Sequence, residues 1–434
     1  MIRWNLSLLV LALSTAAGAQ AQQASVDPPP DEPSQSERSF PQINDVPSAL
    51  DDIEADHEGA VGATGLTPWG PVELFARHVW NPLRDQLNER LGLRLGVSYV
   101  WLYQNATQAQ GSDEAGQYNL QAFGRWHILG KFLAKGTKNN GYLNFVVDHR
   151  DRKLGVSPAL LGPSVGSLWG TSDLFARWDY EALAYWEQNL FDDKVVVNVG
   201  RMITSSFFDS NRASNPNQYF LNQAFAFNPA TTMPRLAMGA NVKIEPSEHG
   251  YLTLGFSDVN GRPRRNPFGS FDRGEYWYGA ELGLKPDFGR FGSGTYRFHG
   301  WYNQKGQEIN RRESWGISLS FDHQLDLGER FYLVPFLRYA YQGKPGTPTE
   351  QIFSVGVGAG GLFEKWDDVL GVAFSRGEPH GSKSRAQEAL EVFYRFQLTD
   401  TIRISPSYQV IFDPSNFRRK DTIGIFGIRV RVAI

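Results

Sequence analysis

The sequence predicts an all-β fold: a closed antiparallel transmembrane β-barrel of about sixteen strands, with a short N-terminal helical segment before the first strand. Three observations predict it. Apolar and polar residues alternate with a period of two from Leu93 to Ile434, the connections alternate between short and long, and a mean hydropathy of -0.38 coexists with 13% aromatic residues. A helical membrane protein would be far more apolar, whereas a barrel strand gives one face to lipid and keeps the other polar. Beyond the first residues there is no uninterrupted apolar run of about 18 residues, which excludes spanning helices.

The N-terminus reads as an export address. Residues 1–3 are a short positive start, 6–17 an apolar run, and Ala17-Gly18-Ala19 and Ala19-Gln20-Ala21 are small-x-small cleavage sites, so 1–21 is expected to be a signal peptide. Residues 22–64 contain Pro28, Pro29 and Pro30 and ten acidic residues against Arg38. Such a stretch buries too little apolar surface to offset its ordering entropy and is expected to be a disordered periplasmic extension. Its charge of -9, with the +1 of Arg3 and the total of -3, leaves +5 for 65–434. A mildly cationic barrel biases a pore toward anions, although scattered loop lysines and arginines give the same sum. Zero cysteines suit a chain that crosses an oxidising compartment unfolded.

Residues 65–92 hold the one helical stretch. Leu74, Val79, Leu83, Leu87 and Leu91 fall near helical spacing, with Arg84, Asp85, Glu89 and Arg90 opposite, and Pro82 should kink or divide it. It either caps the periplasmic mouth or serves as an amphipathic linker beside the first strand.

Residues 93–434 form the barrel. Leu93, Leu95, Val97, Tyr99, Trp101 and Tyr103 alternate with Arg94, Gly96, Ser98 and Gln104. The same alternation recurs with Trp315, Ile317, Leu319 and Phe321, and closes the chain with Phe426, Ile428, Val430, Val432 and Ile434 against Arg429 and Arg431. A last strand of a soluble sandwich could show that final pattern; the connections decide against it. Short turns at 192–194, 246–250, 326–329 and 399–400 alternate with polar segments at 104–117, 259–274, 342–350 and 377–386, as periplasmic turns and external loops do. Tyr276-Trp277-Tyr278 and Tyr339 with Tyr341 stand near strand ends, where aromatic girdles sit. The closing strand is expected to pair with 402–412 and with 93–103, its arginines facing the lumen.

One connection departs from the rest. After the strand 195–202, residues 204–235 run without a sustained period and carry Phe207, Phe208, Phe220, Phe225 and Phe227 with Pro216, Pro229 and Pro234. Loops of this length are functional or disordered, and this one is too aromatic for disorder. It is expected to fold inward and narrow the lumen; packing over the external rim is the competing reading.

Asn228-Pro229-Ala230 preceded by F-x-F, the strand ending Gly200-Arg201-Met202, and the tail E-x-F-Y-R-F-Q-L from Glu391 followed by I-S-P-S-Y-Q at 404–409 resemble the carbohydrate-selective porins of the OprB type. The likeness spans 67–434. It implies a sixteen-stranded outer-membrane porin through which sugars such as glucose diffuse passively, in a Gram-negative bacterium. Two departures are Ile434 in place of the usual terminal Phe and a longer acidic extension.

Sugar passage has its own physics. A monosaccharide is a ring of hydroxyls with an apolar C–H face, so a selective lumen needs charged donors and acceptors plus aromatic surface, held in weak contacts. The candidates on the polar phase and in the long segment are Arg201, Asp209, Arg212, Glu181, Arg297, His299, Trp301, Arg338, Glu391 and Arg395, with Arg201 and Trp301 foremost. For any one of them, a structural ion pair at the rim is the plainer reading.

Other signals carry less. Residues 356–361 satisfy G-x-G-x-x-G but sit inside a strand pattern, where glycines relieve crowding against the wall; a dinucleotide needs a following helix. The eight histidines show no metal-ligand spacing, and no cofactor is implied. An outer-membrane hydrolase is the rival class, yet no G-x-S-x-G elbow is present. A general-diffusion pore or a pore selective for anions or sugar acids is the nearer alternative. The expected partners are carbohydrate solutes, outer-membrane lipid, and the outer-membrane assembly machinery through the C-terminal strand, with no nucleic acid. The chain is expected to act as a homotrimer or a monomer.

Overall fold

Sixteen antiparallel strands run in sequence order around a closed ring, and the last pairs with the first. The computed structural model describes residues 70–434 apart from 137–138, 175–178, 213, 235, 262–270, 306–311, 329, 364–367 and 382–383. The expected signal peptide and acidic extension lie outside the described residues.

The strands are β1 Leu93–Ala106, β2 Glu114–Leu129, β3 Gly141–Gly155, β4 Asp179–Leu190, β5 Val195–Met202, β6 Ala237–Ser247, β7 Gly250–Asp258 and β8 Tyr276–Leu284. The second half comprises β9 Ser293–Asn303, β10 Ser314–Asp326, β11 Tyr332–Gln342, β12 Thr349–Gly360, β13 Val369–Pro379, β14 Gln387–Gln397, β15 Ile402–Phe412 and β16 Thr422–Ala433. Several outrun the ten residues expected of a tilted strand. β1 and β2 therefore take up half of 104–117 and leave a short connection.

Closure is made by hydrogen bonds between the chain ends. Tyr103 stands opposite Ile428 and Ser98 opposite Ala433, and Val97 and Ile434 exchange N–H···O bonds of 2.7 and 2.9 Å. On its other edge β16 pairs with β15, Pro406 opposite Ile428. The two faces separate as the period of two requires. Phe426 is 48% exposed on the outside, whereas Arg429 and Arg431 are 1% and 5% exposed inside. Outward aromatics gather at both ends of the barrel: Tyr278, Tyr302 and Trp315 near the long loops, and Phe288, Phe291 and Phe363 near the short turns.

The helical segment consists of α1 Pro71–Phe75, a π turn at Ala76–Trp80, and α2 Asn81–Leu91. Pro82 has no N–H and its ring crowds the preceding turn, so the helix widens ahead of it: the N–H of Asn81 bonds back to Ala76. Gly92, at φ 73°, ends α2 in the left-handed conformation that favours glycine. The segment lies along the short-turn rim. Glu73 accepts from Thr399 and from Thr401 (2.8 Å) at one end, and the Leu91 carbonyl accepts from Trp126 Nε1 at 3.0 Å at the other. The apolar residues at helical spacing lie on the outer side: Leu74, Val79, Leu83 and Leu91 are 37–53% exposed. Polar bonds to the rim, rather than apolar packing, fix which face turns inward.

Ile428→Arg places a guanidinium on the lipid face midway along β16. It is expected to lower stability by about 2–4 kcal/mol, read as a reduced urea midpoint for protein refolded in lipid vesicles. An unchanged midpoint would mean that this face is in water.

Candidate functional site

The connection between β5 and β6, residues 203–236, has no strand partner, so its backbone groups must find donors and acceptors elsewhere. The inward faces of β8 to β16 supply them. Arg338 on β11 donates to the carbonyls of Asp209 (2.7 Å), Phe225 (3.1 Å) and Phe227 (3.2 Å) and pairs with the Asp209 carboxylate at 3.1 Å. Glu391 on β14 accepts from the N–H groups of Leu221 and Asn222 at 2.8 and 2.9 Å. These precede the short helix α4 Gln223–Ala226, in which the Ala224 N–H is met by the Asn222 side chain. Arg429 on β16 donates to the carbonyls of Pro216 (2.5 Å) and Tyr219 (2.9 Å). Arg395 and Arg403 both donate to the Gln218 side-chain oxygen, at 2.9 and 2.7 Å. The arginine fork, with five donors, satisfies several carbonyls from one wall position.

The start of the segment rests on a chain of buried charges. The N–H of Asp209 donates to Glu281 on β8 at 2.6 Å, and Tyr251 donates to the same carboxylate at 2.7 Å. Asp322 on β10 pairs with Arg297 on β9 at 2.5 Å and with Arg212 of the segment at 3.1 Å. His299 Nδ1 and Ser318 Oγ are 3.1 Å apart. Removing one partner from such a pair costs about 3–5 kcal/mol because the other charge stays buried.

Aromatic packing completes the fit. Phe220 meets Phe393 edge-on at 4.8 Å and Phe336 at 5.6 Å. Trp277 and Trp301 close on Phe208 at the other end, and Trp277 Nε1 donates to the Thr232 carbonyl at 2.8 Å. A Cβ on Gly356 would sit 2.6 Å from the Phe336 ring, so the glycine-rich run in β12 lets that ring lie flat on the wall.

A second inward connection, residues 156–174 after β3, was not singled out by the sequence analysis. It opens with α3 Pro158–Ser164 and interlocks with the first: Gly170 and Gln223 are joined by bonds of 2.8 and 3.1 Å, and Trp169 Nε1 donates to Asn222 Oδ1 at 2.8 Å. Its signal was Leu168 and Trp169 in a Gly- and Ser-rich run with no strand period.

A cavity of about 240 Å³ remains between these connections and the wall made by β2, β3 and β4. On the strand wall Asn119, Gln121, Asp148 and Arg150 stand among Phe123, Val146 and Leu183; from 203–236 come Pro216, Phe227, Met233 and Pro234 together with Ser205, Asn217 and Gln223. Gln121 Nε2 and Arg150 Nε both donate to Asp148 Oδ2, at 3.1 and 2.7 Å. Asp148 Oδ1, Gln121 Oε1 and Asn119 Nδ2 are buried without a hydrogen-bond partner among the described residues.

Residues 152–433, well over half of the chain, match the family described as carbohydrate-selective porin, OprB family. The chain belongs to that family. This OprB-family chain is an outer-membrane barrel. It is 20% identical over 284 residues to Porin AaxA of Chlamydia trachomatis serovar D, a match spanning 63% of this chain and 59% of that protein. Its fold is similar to Pseudomonas putida OprB in a high-pH structure (TM-score 0.67, 14% identity, 82% of this chain and 97% of that one). A low-pH structure of the same protein gives a TM-score of 0.51 at 13% identity over the same shares.

The porin distributes its predicted site residues unevenly. Arg297, His299, Trp301, Arg338, Glu391 and Arg395 point inward but stand behind 203–236, each 4% exposed or less. Asp209 and Arg338 border a gap of about 10 Å³ beside the main cavity. Of the nine predicted residues whose side chains are described, none lines the main cavity. Arg201 needs correcting: its register partners Ala184 and Met238 lie on the outward phase, so it belongs to the outer face near the long-loop rim. Val195, Val197, Val199 and Arg201 share that phase, and Asn198 and Met202 are the inward, buried positions. Glu181 stands opposite Asp148 in the register, and its side chain lies outside the description. The cavity-lining Asn119, Gln121, Asp148 and Arg150 were missed, although Gln117, Asn119 and Gln121 alternate plainly with Tyr118 and Leu120.

Glu391→Ala is expected to raise single-channel conductance and lower the thermal midpoint, because two buried N–H groups lose their acceptor at about 1–3 kcal/mol each. Glu391→Gln, which keeps an acceptor oxygen, should fall between. Planar-bilayer conductance checks this; an unchanged Glu391→Ala pore would show that the segment is held without the carboxylate.

Proposed function

We propose that this porin passes monosaccharides by passive diffusion and that residues 203–236 form the constriction on their route. The observation that carries the reading is the mixed lining of the cavity. Asn119, Gln121, Asp148 and Arg150 on the strand wall and Ser205, Asn217 and Gln223 on the segment offer donors and acceptors, while Phe227, Met233 and the two prolines offer apolar surface beside them. A pyranose asks for both, with hydroxyls at its edge and C–H groups on its face.

The polar side chains of Asn119, Gln121 and Asp148 in the cavity wall supply contacts that a passing hydroxyl can take up and release. Such contacts keep binding weak enough for exit. The buried ion pairs behind 203–236 act indirectly, by keeping the segment at a fixed distance from the strand wall. Because the route lies within one barrel, each chain conducts whether it stands alone or in a trimer.

Swelling of liposomes containing the purified protein tests the reading. Neutral hexoses are expected to enter faster than neutral amino acids of similar size; equal rates leave a general-diffusion pore. In single-channel recordings, Gln121→Leu with Asn119→Leu should weaken sugar-dependent block of the current severalfold, whereas Arg201→Ala, on the outer face, should leave it unchanged. Block that survives the double substitution would remove these residues from the route.

A further inference from the structure

The short-turn end of the barrel carries an apolar fringe. Phe132, Phe191, Phe288, Leu327 and Phe363 are exposed in the connections β2–β3, β4–β5, β8–β9, β10–β11 and β12–β13. Three of them pack on outward strand residues: Phe132 on Trp126 at 5.5 Å, Phe288 on His323 at 5.6 Å and Phe363 on Tyr394 at 6.5 Å. The fringe thus continues the lipid-facing belt down to the level of an aromatic girdle. It stops at the β14–β15 connection, where none of the residues 398–401 is exposed. The seam between β16 and β1 follows, and there β1 outruns its partner. Val97 exchanges the closing bonds with Ile434, and Leu93 to Gly96 pair with β2 alone among the described strands. A strand edge left bare at the boundary of a bilayer is costly.

The helical segment Pro71–Leu91 bridges this sector, about 30 Å of chain at ~1.5 Å per residue. At the β14–β15 turn it is tied by Glu73 to Thr399 and Thr401, and by Arg77 to Asp400. At the β2–β3 connection Lys131 Nζ donates to Asn88 Oδ1 at 3.4 Å. Its last carbonyl, Leu91, accepts from Trp126, which stands opposite Leu93 on the outward phase of β2, so this end joins the lipid-facing wall itself. Val72, Phe75, Val79 and Leu83 recur at helical spacing, and Val72, Val79 and Leu83 are 38%, 53% and 48% exposed. A stripe of this kind in water turns onto the nearest apolar surface. Here the polar ties hold it outward.

We infer that the outer side of Pro71–Leu91 is a lipid-binding surface: it lies in the phospholipid leaflet on the short-turn side, at the boundary of headgroups and acyl chains, and completes the apolar fringe across the seam of the barrel. Continuity with the fringe on either side chooses this occupant over a second copy of the chain. Charge narrows it further. Glu73, Asp85 and Glu89 balance Arg77, Arg84 and Arg90, so the surface is drawn to the apolar boundary and not to anionic headgroups. Phospholipid over the stripe also closes off the part of β1 that β16 leaves unpaired.

The chain has no cysteine, so a single one can be labelled cleanly. Val79→Cys, Leu83→Cys and Asp85→Cys, each in the full chain carrying an environment-sensitive fluorophore, are reconstituted in phosphatidylcholine vesicles with or without lipid brominated high on the acyl chain. Asp85 is two positions beyond Leu83 and so about 200° round the helix. All three sites are exposed, and the single-channel conductance of each labelled protein checks that the barrel is intact. Labels at 79 and 83 should be quenched severalfold more by the brominated lipid than the label at 85, and severalfold less by iodide present on both sides of the membrane. Replacing part of the phosphatidylcholine by phosphatidylglycerol should leave the pattern unchanged. Equal iodide quenching at the three sites would place the stripe in water and overturn the inference. Protection from iodide at 79 and 83 without quenching by brominated lipid would mean that protein covers the stripe, and equal quenching by brominated lipid at 85 would mean that no side is selected; either result overturns it as well.

Discussion

The whole molecule depends on the pairing of β16 with β1. In hydrocarbon an unpaired backbone N–H or C=O costs several kcal/mol, so a sheet can cross the bilayer only if it has no edge. The bonds between Val97 and Ile434 and the register from Ser98 to Ala106 remove the last edge. Once the ring closes, alternate residues must face the interior, and the period-two pattern becomes a division into lipid and lumen. Every inward arginine discussed above owes its position to that division.

The same demand for satisfied backbone shapes the interior. Residues 203–236 leave the sheet and forfeit their ladder, and a segment without strand partners could not remain inside unless the wall replaced what it lost. Arg338, Arg429 and Glu391 do so through carbonyls and N–H groups of the main chain, which makes them insensitive to the identity of most side chains in the segment. Phe220, Phe225 and Phe208 then fill the remaining space against Phe336, Phe393, Trp277 and Trp301. The part of the barrel under the segment is packed. The cavity beside it is walled by β2, β3 and β4, and the two parts perform separate tasks, support and passage.

That separation explains why chemically conspicuous residues need not meet solute. Buried arginines and carboxylates in this barrel are first of all the hydrogen-bonding partners of an irregular segment. The residues that border the free space are the less conspicuous amides of β2 and the Asp148–Arg150 pair of β3. Proximity in sequence to the long segment is a poor guide to proximity to its open side.

By itself the sequence determined the barrel, its strand period, the alternation of turns and loops, the inward Arg429 and Arg431, and the aromatic excess that draws 203–236 off the surface. These are local properties, fixed by a two-residue repeat and by what a bilayer accepts. Only the tertiary structure decided which side of the lumen the segment covers, since that turns on contacts between residues far apart in the chain, such as Asn222 with Gln409 and Arg338 with Asp209. Phase decided Arg201: it shares the outward face with Val197 and Val199, and its neighbours across the strands fix that face. Register decided the rest, because the pairing of β2 with β3 sets Asn119 opposite Arg150 and Gln121 opposite Asp148 in the cavity wall, and register is a property of the ring that no single strand contains.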